Sequence, residues 1–305
     1  MKKCGFVYVI LLLLFVSCSK QNHERIDRAS FVNPFIGTDG PGNTYPGATV
    51  PFGMVQLSPD IGVSGWDRIS GYYYQDSIIS GFSHTHLTGT GAGDLYDILV
   101  MPTNSRFKSR IKENNFKPFS KFSHENEAAS PGYYSVDLLD FGIKAELTAT
   151  SRVGIHKYTF PQDSLSQIHI DLGYSLNWDS PTDTYITVVN SSTLRGYRKS
   201  TGWAKDQRIY FEILLSKPFT SYQLYTNDSL VLSSAKGKNT KIILNYQTIE
   251  NEEIILKTGL STATIEGAHS SLMVEAPHFN FELYHQQARG IWETELQKIN
   301  IESSD

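Results

Sequence analysis

Cysteine is nearly missing from this chain: there are two in 305 residues, Cys4 and Cys18, both close to the N-terminus. Whatever follows them carries no disulfide framework and must be held by core burial. Basic charge is not in excess either. Setting aside Lys2 and Lys3 leaves 25 Lys and Arg against 31 Asp and Glu, a net charge of −6. With no basic stripe, that balance argues against nucleic acid as a partner. Long apolar runs are lacking as well, the longest being Val7 to Val16. At about ten to twelve residues it is too short to span a bilayer comfortably. No glycine-rich phosphate loop opens a helix. Gly89-Thr-Gly91-Ala-Gly93 has the glycines, but Asp94 and the strand-like Ile98-Leu-Val-Met follow it. No Ser/His/Asp nucleophile arrangement, internal repeat or low-complexity linker stands out.

The first segment reads as a targeting signal. Lys2 and Lys3 form a positive n-region, the apolar run follows, and Ser17-Cys18 ends it in the manner of a bacterial lipoprotein cleavage box. On this reading residues 1–18 are a lipoprotein signal peptide cut before Cys18, which becomes the lipidated N-terminus, and 19–29 form a polar tether. An ordinary signal peptide cut near Ser17 is the alternative. The expected location is the bacterial cell envelope, periplasmic or on the outer-membrane surface, with the membrane met only through lipid.

The 287 residues after Cys18 suffice for one large β domain or two small ones. From about Tyr133 to Thr264 the chain reads as strand after strand. Ile143, Ala145, Leu147 and Ala149 fall on one face, while Lys144, Glu146, Thr148 and Thr150 fall on the other. Ile168, Ile170, Leu172 and then Ile209, Phe211, Ile213, Leu215 repeat the alternation, which marks half-buried antiparallel strands. Pro131-Gly132, Phe141-Gly142, Asn227-Asp228 and Lys236-Gly237-Lys238 supply the turns. The fold class is therefore mainly β: a large antiparallel β-sandwich of about twelve or more strands over residues 30–276. Residues 277–305 form a linker helix. Apolar residues at Tyr284, Ala288, Ile291, Trp292, Leu296 and Ile299 have helical spacing, with Asn280 as N-cap. This helix either folds back on the sandwich or leads into a further domain.

Most telling is the stretch from Val32 to Gly91, where glycine and proline alternate with short apolar runs, aromatics, His and Asp. Such composition builds shaped loops, and shaped loops rich in rings and hydrogen-bonding groups are where ligands bind. The chain is also rich in rings, with 17 Tyr and 4 Trp. Their faces suit the apolar face of a pyranose, although large β-sandwiches are tyrosine-rich in any case.

Several segments carry a resemblance. Val32-Asn-Pro-Phe-Ile-Gly-Thr38, Tyr45-Pro-Gly-Ala-Thr-Val-Pro-Phe-Gly-Met-Val-Gln-Leu-Ser-Pro-Asp60 and Gly71-Tyr-Tyr-Tyr74 are the first of them. Gly81-Phe-Ser-His-Thr-His-Leu-Thr-Gly-Thr-Gly91, Gly93-Asp-Leu-Tyr-Asp-Ile-Leu-Val-Met-Pro102, Gly196-Tyr-Arg-Lys-Ser-Thr-Gly-Trp-Ala204 and the helix at Ala288–Ile299 continue it. Together they resemble glycoside hydrolase family 92, whose members are exported α-mannosidases, many acting on α-1,2 links. The resemblance implies an N-terminal sandwich of the galactose-mutarotase-like supersandwich kind joined to an (α/α)6 barrel. That barrel holds the catalytic carboxylates of an inverting reaction and a calcium ion. The chain stops at Asp305, where the barrel should begin, so the expectation is no catalytic acid or base, no metal ligand, and no hydrolysis by this polypeptide alone. Expected partners are mannose-containing glycans and a separately encoded catalytic barrel.

What the resemblance leaves to the sandwich is one wall of the sugar pocket. The candidates are Trp66, Asp67, His84, His86, Thr88 and Trp203. Trp66 either stacks on a sugar face or is a core aromatic. Asp67 either accepts sugar hydroxyls or stabilises a turn. His84 and His86 lack the third ligand a metal site needs, and are expected to brace their loop, one of them reaching the pocket. Trp203 faces the same cleft or packs structurally. Asp94 and Asp97 are expected to cap the loop.

Overall fold

The computed structural model describes residues 26–110 and 117–301; the signal segment and Cys18 lie outside them. One sheet has seven strands, in the order β1 (Ser58–Asp60), β3 (Gly81–Ser83), β4 (Leu99–Thr103), β10 (Asp163–Asp171), β17 (Thr240–Thr248), β14 (Ser221–Thr226) and β15 (Ser229–Val231). The other has nine. Its order is β16 (Ser234–Gly237), β11 (Ser180–Asn190), β12 (Thr193–Thr201), β13 (Gln207–Leu215), β18 (Glu252–Ser261), β9 (Val153–Phe160), β8 (Ile143–Ala149), β7 (Tyr133–Leu138) and β6 (Glu127–Ser130). A two-stranded ribbon, β2 (Ile78–Ile79) with β5 (Ser120–Lys121), completes the set. Every pairing is antiparallel. The fold is the mainly β sandwich that the alternation requires.

The inward faces meet in one core. Ile143, Ala145, Leu147 and Ala149 of β8 and Ile168 and Ile170 of β10 are buried in it together with Phe211, Ile242 and Leu244. The outward face of the nine-stranded sheet departs from the half-buried expectation. Glu146 and Thr148 are only 7% and 0% exposed. Two helices cover that face, α1 (Ile265–Glu275) and α2 (Phe281–Leu296). A second apolar cluster, Val153, Ile155 and Ile255 against Leu272, Ala276, Phe281 and Tyr284, joins them to it. Helix α1 was absent from the sequence reading, which gave residues up to 276 to the sandwich. Its signals are local: Thr264 caps it, accepting from Gly267 N at 3.0 Å, and Ala268 and Leu272 lie four apart on the buried side.

Polar side chains beneath the helices are paired, as buried charge demands. Lys157 Nζ lies 3.0 Å from Glu146 and 3.1 Å from Glu282. Lys257, 1% exposed, donates to the carbonyls of Ala276 (2.6 Å) and His278 (3.1 Å), capping the end of α1. Burial lowers its ammonium pKa to about 8.

Helix α2 starts at the expected cap, Asn280, which accepts from Leu283 N at 3.1 Å. It folds back on the sandwich through Phe281, Tyr284 and Ala288, whereas Ile291 is 44% and Ile299 75% exposed. Glu293 is buried instead, because its carboxylate accepts from Ala29 N at 2.5 Å. Arg289 pairs with Asp27, and Arg28 reaches Asn300 at 2.9 Å. The expected tether thus gives way to fixed chain by Asp27.

Candidate functional site

The loop after β3, Thr85 to Ile98, is the organising segment, and three of the four tryptophans are fixed to it. Trp66 opens a short 3-10 turn (Trp66–Arg68) behind Gly65, whose N–H donates to Asn177 Oδ1 at 2.9 Å. Its indole lies over Gly91: a Cβ there would come within 3.0 Å of the ring. Trp178, which the sequence reading did not single out, donates its backbone N–H to Gly93 O at 3.1 Å. Trp203 donates its N–H to Asp94 Oδ2 at 3.0 Å, and the preceding Gly202 packs so close to that carboxylate that no side chain fits. The three are 64%, 55% and 69% exposed. Tryptophan is highly buried on average, so such exposure around one loop needs a reason beyond packing. Asp67 is exposed beside Trp66, and Arg68 is turned away from it by a two-pronged pair with Asp76 (2.8 and 3.0 Å) and by stacking over Tyr73.

Beneath this surface the loop is held in a conformation that side chains disfavour. Leu95, Tyr96 and Ile98 have φ of 82°, 57° and 58°, each unfavourable for a bulky residue. Arg198 supplies the compensation. Fully buried, its guanidinium donates to Asp97 Oδ1 (2.8 Å), to Asp179, and to the carbonyls of Leu172 (3.1 Å) and Tyr174 (2.8 Å). Burial pushes the Asp179 carboxyl up to about 6, even with Arg198 beside it. Asp97 also accepts from Thr85 Oγ1 at 2.7 Å. Asn177 joins the parts, donating to Tyr96 OH at 2.9 Å while the tyrosine donates to Ile69 O. Asp94 and Asp97 therefore serve the loop.

His84 and His86 lie beneath the surface rather than on it. His84 is 0% exposed, and its Nδ1–H donates to Ile98 O at 2.8 Å. That bond makes Nε2 an acceptor, so His156 Nε2–H donates to it at 3.1 Å, and His156 Nδ1 in turn accepts from Tyr158 OH at 2.7 Å. Every member is satisfied with both rings neutral. Burial accordingly lowers the pKa of His84 to about 4 and that of His156 well below the usual value. His86, 2% exposed, donates from Nδ1 to Gln56 O (2.8 Å), faces Asp60 and Ser83 through Nε2, and packs between the rings of Tyr45 and Tyr96. Both histidines brace the loop; the expected reach into the pocket is blocked by burial. Thr88 is half-buried where the glycine stretch begins. Of the six expected residues, Trp66, Asp67 and Trp203 are exposed, Trp66 and Trp203 each against this loop, and Thr88 is half-buried.

Among the described residues no cluster of three His, Cys, Asp or Glu could hold a metal ion. Calcium takes six to eight oxygens, several from carboxylates, and the described residues gather no such carboxylate cluster.

Residues 31–261 match the model of the glycosyl hydrolase family 92 N-terminal domain. The chain belongs to glycoside hydrolase family 92. Among solved members, it is 35% identical to an α-mannosidase of the family from Bacteroides thetaiotaomicron captured with mannoimidazole. The TM-score is 0.84, over 90% of this chain and 38% of that one. A second member from Bacteroides thetaiotaomicron VPI-5482, an inverting mannosidase, is 26% identical with a TM-score of 0.76, over 91% and 37% of the two chains. A curated relative, an uncharacterized secreted glycosidase of Arthroderma benhamiae, is 26% identical over 91% of this chain and 39% of its own length. The family 92 chain described here spans under two fifths of these relatives.

Proposed function

We propose that this chain is the N-terminal, sugar-binding part of an exported α-mannosidase-type glycosidase acting on mannose-containing glycans, and that the tryptophan face is one wall of its mannose pocket. The observation that carries the reading is the exposure of Trp66, Trp178 and Trp203 around a single braced loop. Indole faces stack on the apolar face of a pyranose, and Asp67, exposed beside Trp66, accepts its hydroxyls. Arg198, His84 and His86 act only by holding the loop.

Inverting hydrolysis needs two carboxyl groups about 6.5–9.5 Å apart, one giving a proton to the leaving oxygen and one activating water. Asp67 is the one exposed carboxylate in the described site, since Asp94, Asp97 and Asp179 are buried. The acid, the base and any calcium are therefore assigned to a catalytic barrel, corresponding to the part of the relatives that this chain does not match. Exposed apolar residues favour such a partner over a stand-alone binding module. Phe52, 95% exposed, shares a cleft with Trp292, and Phe31 (78%) and Ile36 (74%) are open as well. Export with lipid attached at Cys18 is part of the same proposal, and the mass of the N-terminal peptide of the mature protein tests it. For the pocket, titration with methyl α-mannoside followed by tryptophan fluorescence should give a weak saturable change that Trp66→Ala removes. No response at tens of millimolar sugar would sink the reading.

A further inference from the structure

The other sheet carries a cavity that the tryptophan face does not use. It has a volume of about 190 Å³ and lies against β4, β10 and β17 of the seven-stranded sheet. Register places two rows of side chains across β4, β10 and β17: Leu99, Asp171 and Lys241 in one, Met101, His169 and Ile243 in the next. Leu99, Met101 and Ile243 are at most 8% exposed and give an apolar floor. Tyr174 and Asn239 stand in the wall.

Two features point to a ligand. Among the described residues the buried Asn239 Oδ1 has no hydrogen-bond partner, and the buried Tyr174 OH meets only the backbone N–H of Gly62 and finds no acceptor for its proton, which native structures rarely tolerate. In addition, Lys241 lies 3.7 Å from Asp171 and 3.6 Å from Asp228, too far to close either pair as a direct hydrogen bond. An amine, a carboxylate, an amide and a phenol therefore all have capacity to spare over an apolar floor. The two lysines, Lys117 and Lys241, balance the two carboxylates, Asp171 and Asp228, so the cavity has no strong preference for an ion. Its volume is below the roughly 300 Å³ of drug-sized sites, leaving space for one ring.

We propose that this cavity is a second saccharide pocket, taking a single neutral sugar unit through Asp171, Tyr174, Asn239 and Lys241, independently of the tryptophan face. Its ligand holds a glycan at a point separate from the unit gripped by the tryptophans.

Methyl resonances test it on the mature chain. Methyl α-mannoside, methyl β-galactoside and the methyl glycoside of N-acetylglucosamine are titrated while the Met101 and Ile243 methyls are followed. At least one sugar should shift both methyls saturably. The shift should persist in a Trp66→Ala/Trp203→Ala variant and weaken about five-fold in Tyr174→Phe, the loss of one hydrogen bond. Asp171→Asn tests the carboxylate should Tyr174→Phe fail to fold, with the same weakening expected. No movement of these methyls with any of the three sugars overturns the inference, as does a shift lost with the tryptophans. Sugar binding that perturbs only the tryptophan face leaves the proposed mannose pocket intact and removes this one.

Discussion

Three buried imidazoles make the sandwich acid-sensitive, and the size of the effect follows from their surroundings. His84, lowered to about 4, His156, lowered well below its usual value, and His169, lowered to about 3, are all neutral in the folded state because burial disfavours the charged ring. In the unfolded chain each returns to about 6.5. The folded value is depressed, so the stability is fully present above pH 6.5 and drains away as pH falls toward the folded values. Between about pH 7 and pH 5 His84 and His169 each lose about 2 kcal/mol, at about 1.4 kcal/mol per pH unit below 6.5. Those two rings give about 4 kcal/mol, and His156 adds to it in the same direction. Asp179, raised to about 6, and Asp171, also raised, work in the opposite direction and offset part of that loss. Against a typical total of about 5–15 kcal/mol, that is a large share. Urea unfolding at constant ionic strength should show the midpoint falling steeply between those pH values with an unchanged slope. A His156→Gln/His169→Gln variant, which keeps one nitrogen in each place but cannot titrate, should lose most of the pH dependence. Equal midpoints at the two pH values in the parent, or a variant as acid-sensitive as the parent, would refute the reasoning.

Arg198→Met removes the guanidinium from two buried carboxylates and should cost about 3–5 kcal/mol in urea unfolding, because charge without a partner is left in the core. Thr264→Ala takes away the α1 cap and should lower stability by about 1 kcal/mol, read the same way. Gly91→Ala should leave the unfolding midpoint within about 0.5 kcal/mol while displacing the exposed Trp66 ring, seen as weaker mannoside binding with an altered emission spectrum. The mature chain alone should release no mannose from α-mannobiose with or without calcium, and product above the no-enzyme blank would disprove the assignment of chemistry to a separate barrel.

Pattern carried much of the architecture. Alternation from Tyr133 to Thr264 reflects a local rule, that successive strand residues face opposite ways, so the inward rows of β8, β10 and β13 were legible. Asn280 was legible as a cap because capping is also local. The covering of the outward face was not. Glu146 and Thr148 look like solvent-side residues until α1 and α2 close over them, and nothing within β8 announces that neighbour. The same holds for the site. Trp66 and Trp203 could be suspected from their glycine-rich settings. Trp178 could have been suspected only from the rarity of tryptophan, and it meets the loop through a backbone bond to Gly93.

The order of residues by itself determined an acidic, mainly β chain with no cysteine after residue 18, shaped loops before residue 100 and a capped helix near its end, because composition, period and capping act over a few neighbouring positions. Tertiary structure alone decided which rings reach solvent. His84 and His86 sit in the same run as Thr88 but point into the core, whereas Trp66, Trp178 and Trp203, spread over 138 positions, surface together. The reason is long-range: Arg198, on β12, binds Asp97 and Asp179 at once and so fixes which segments meet.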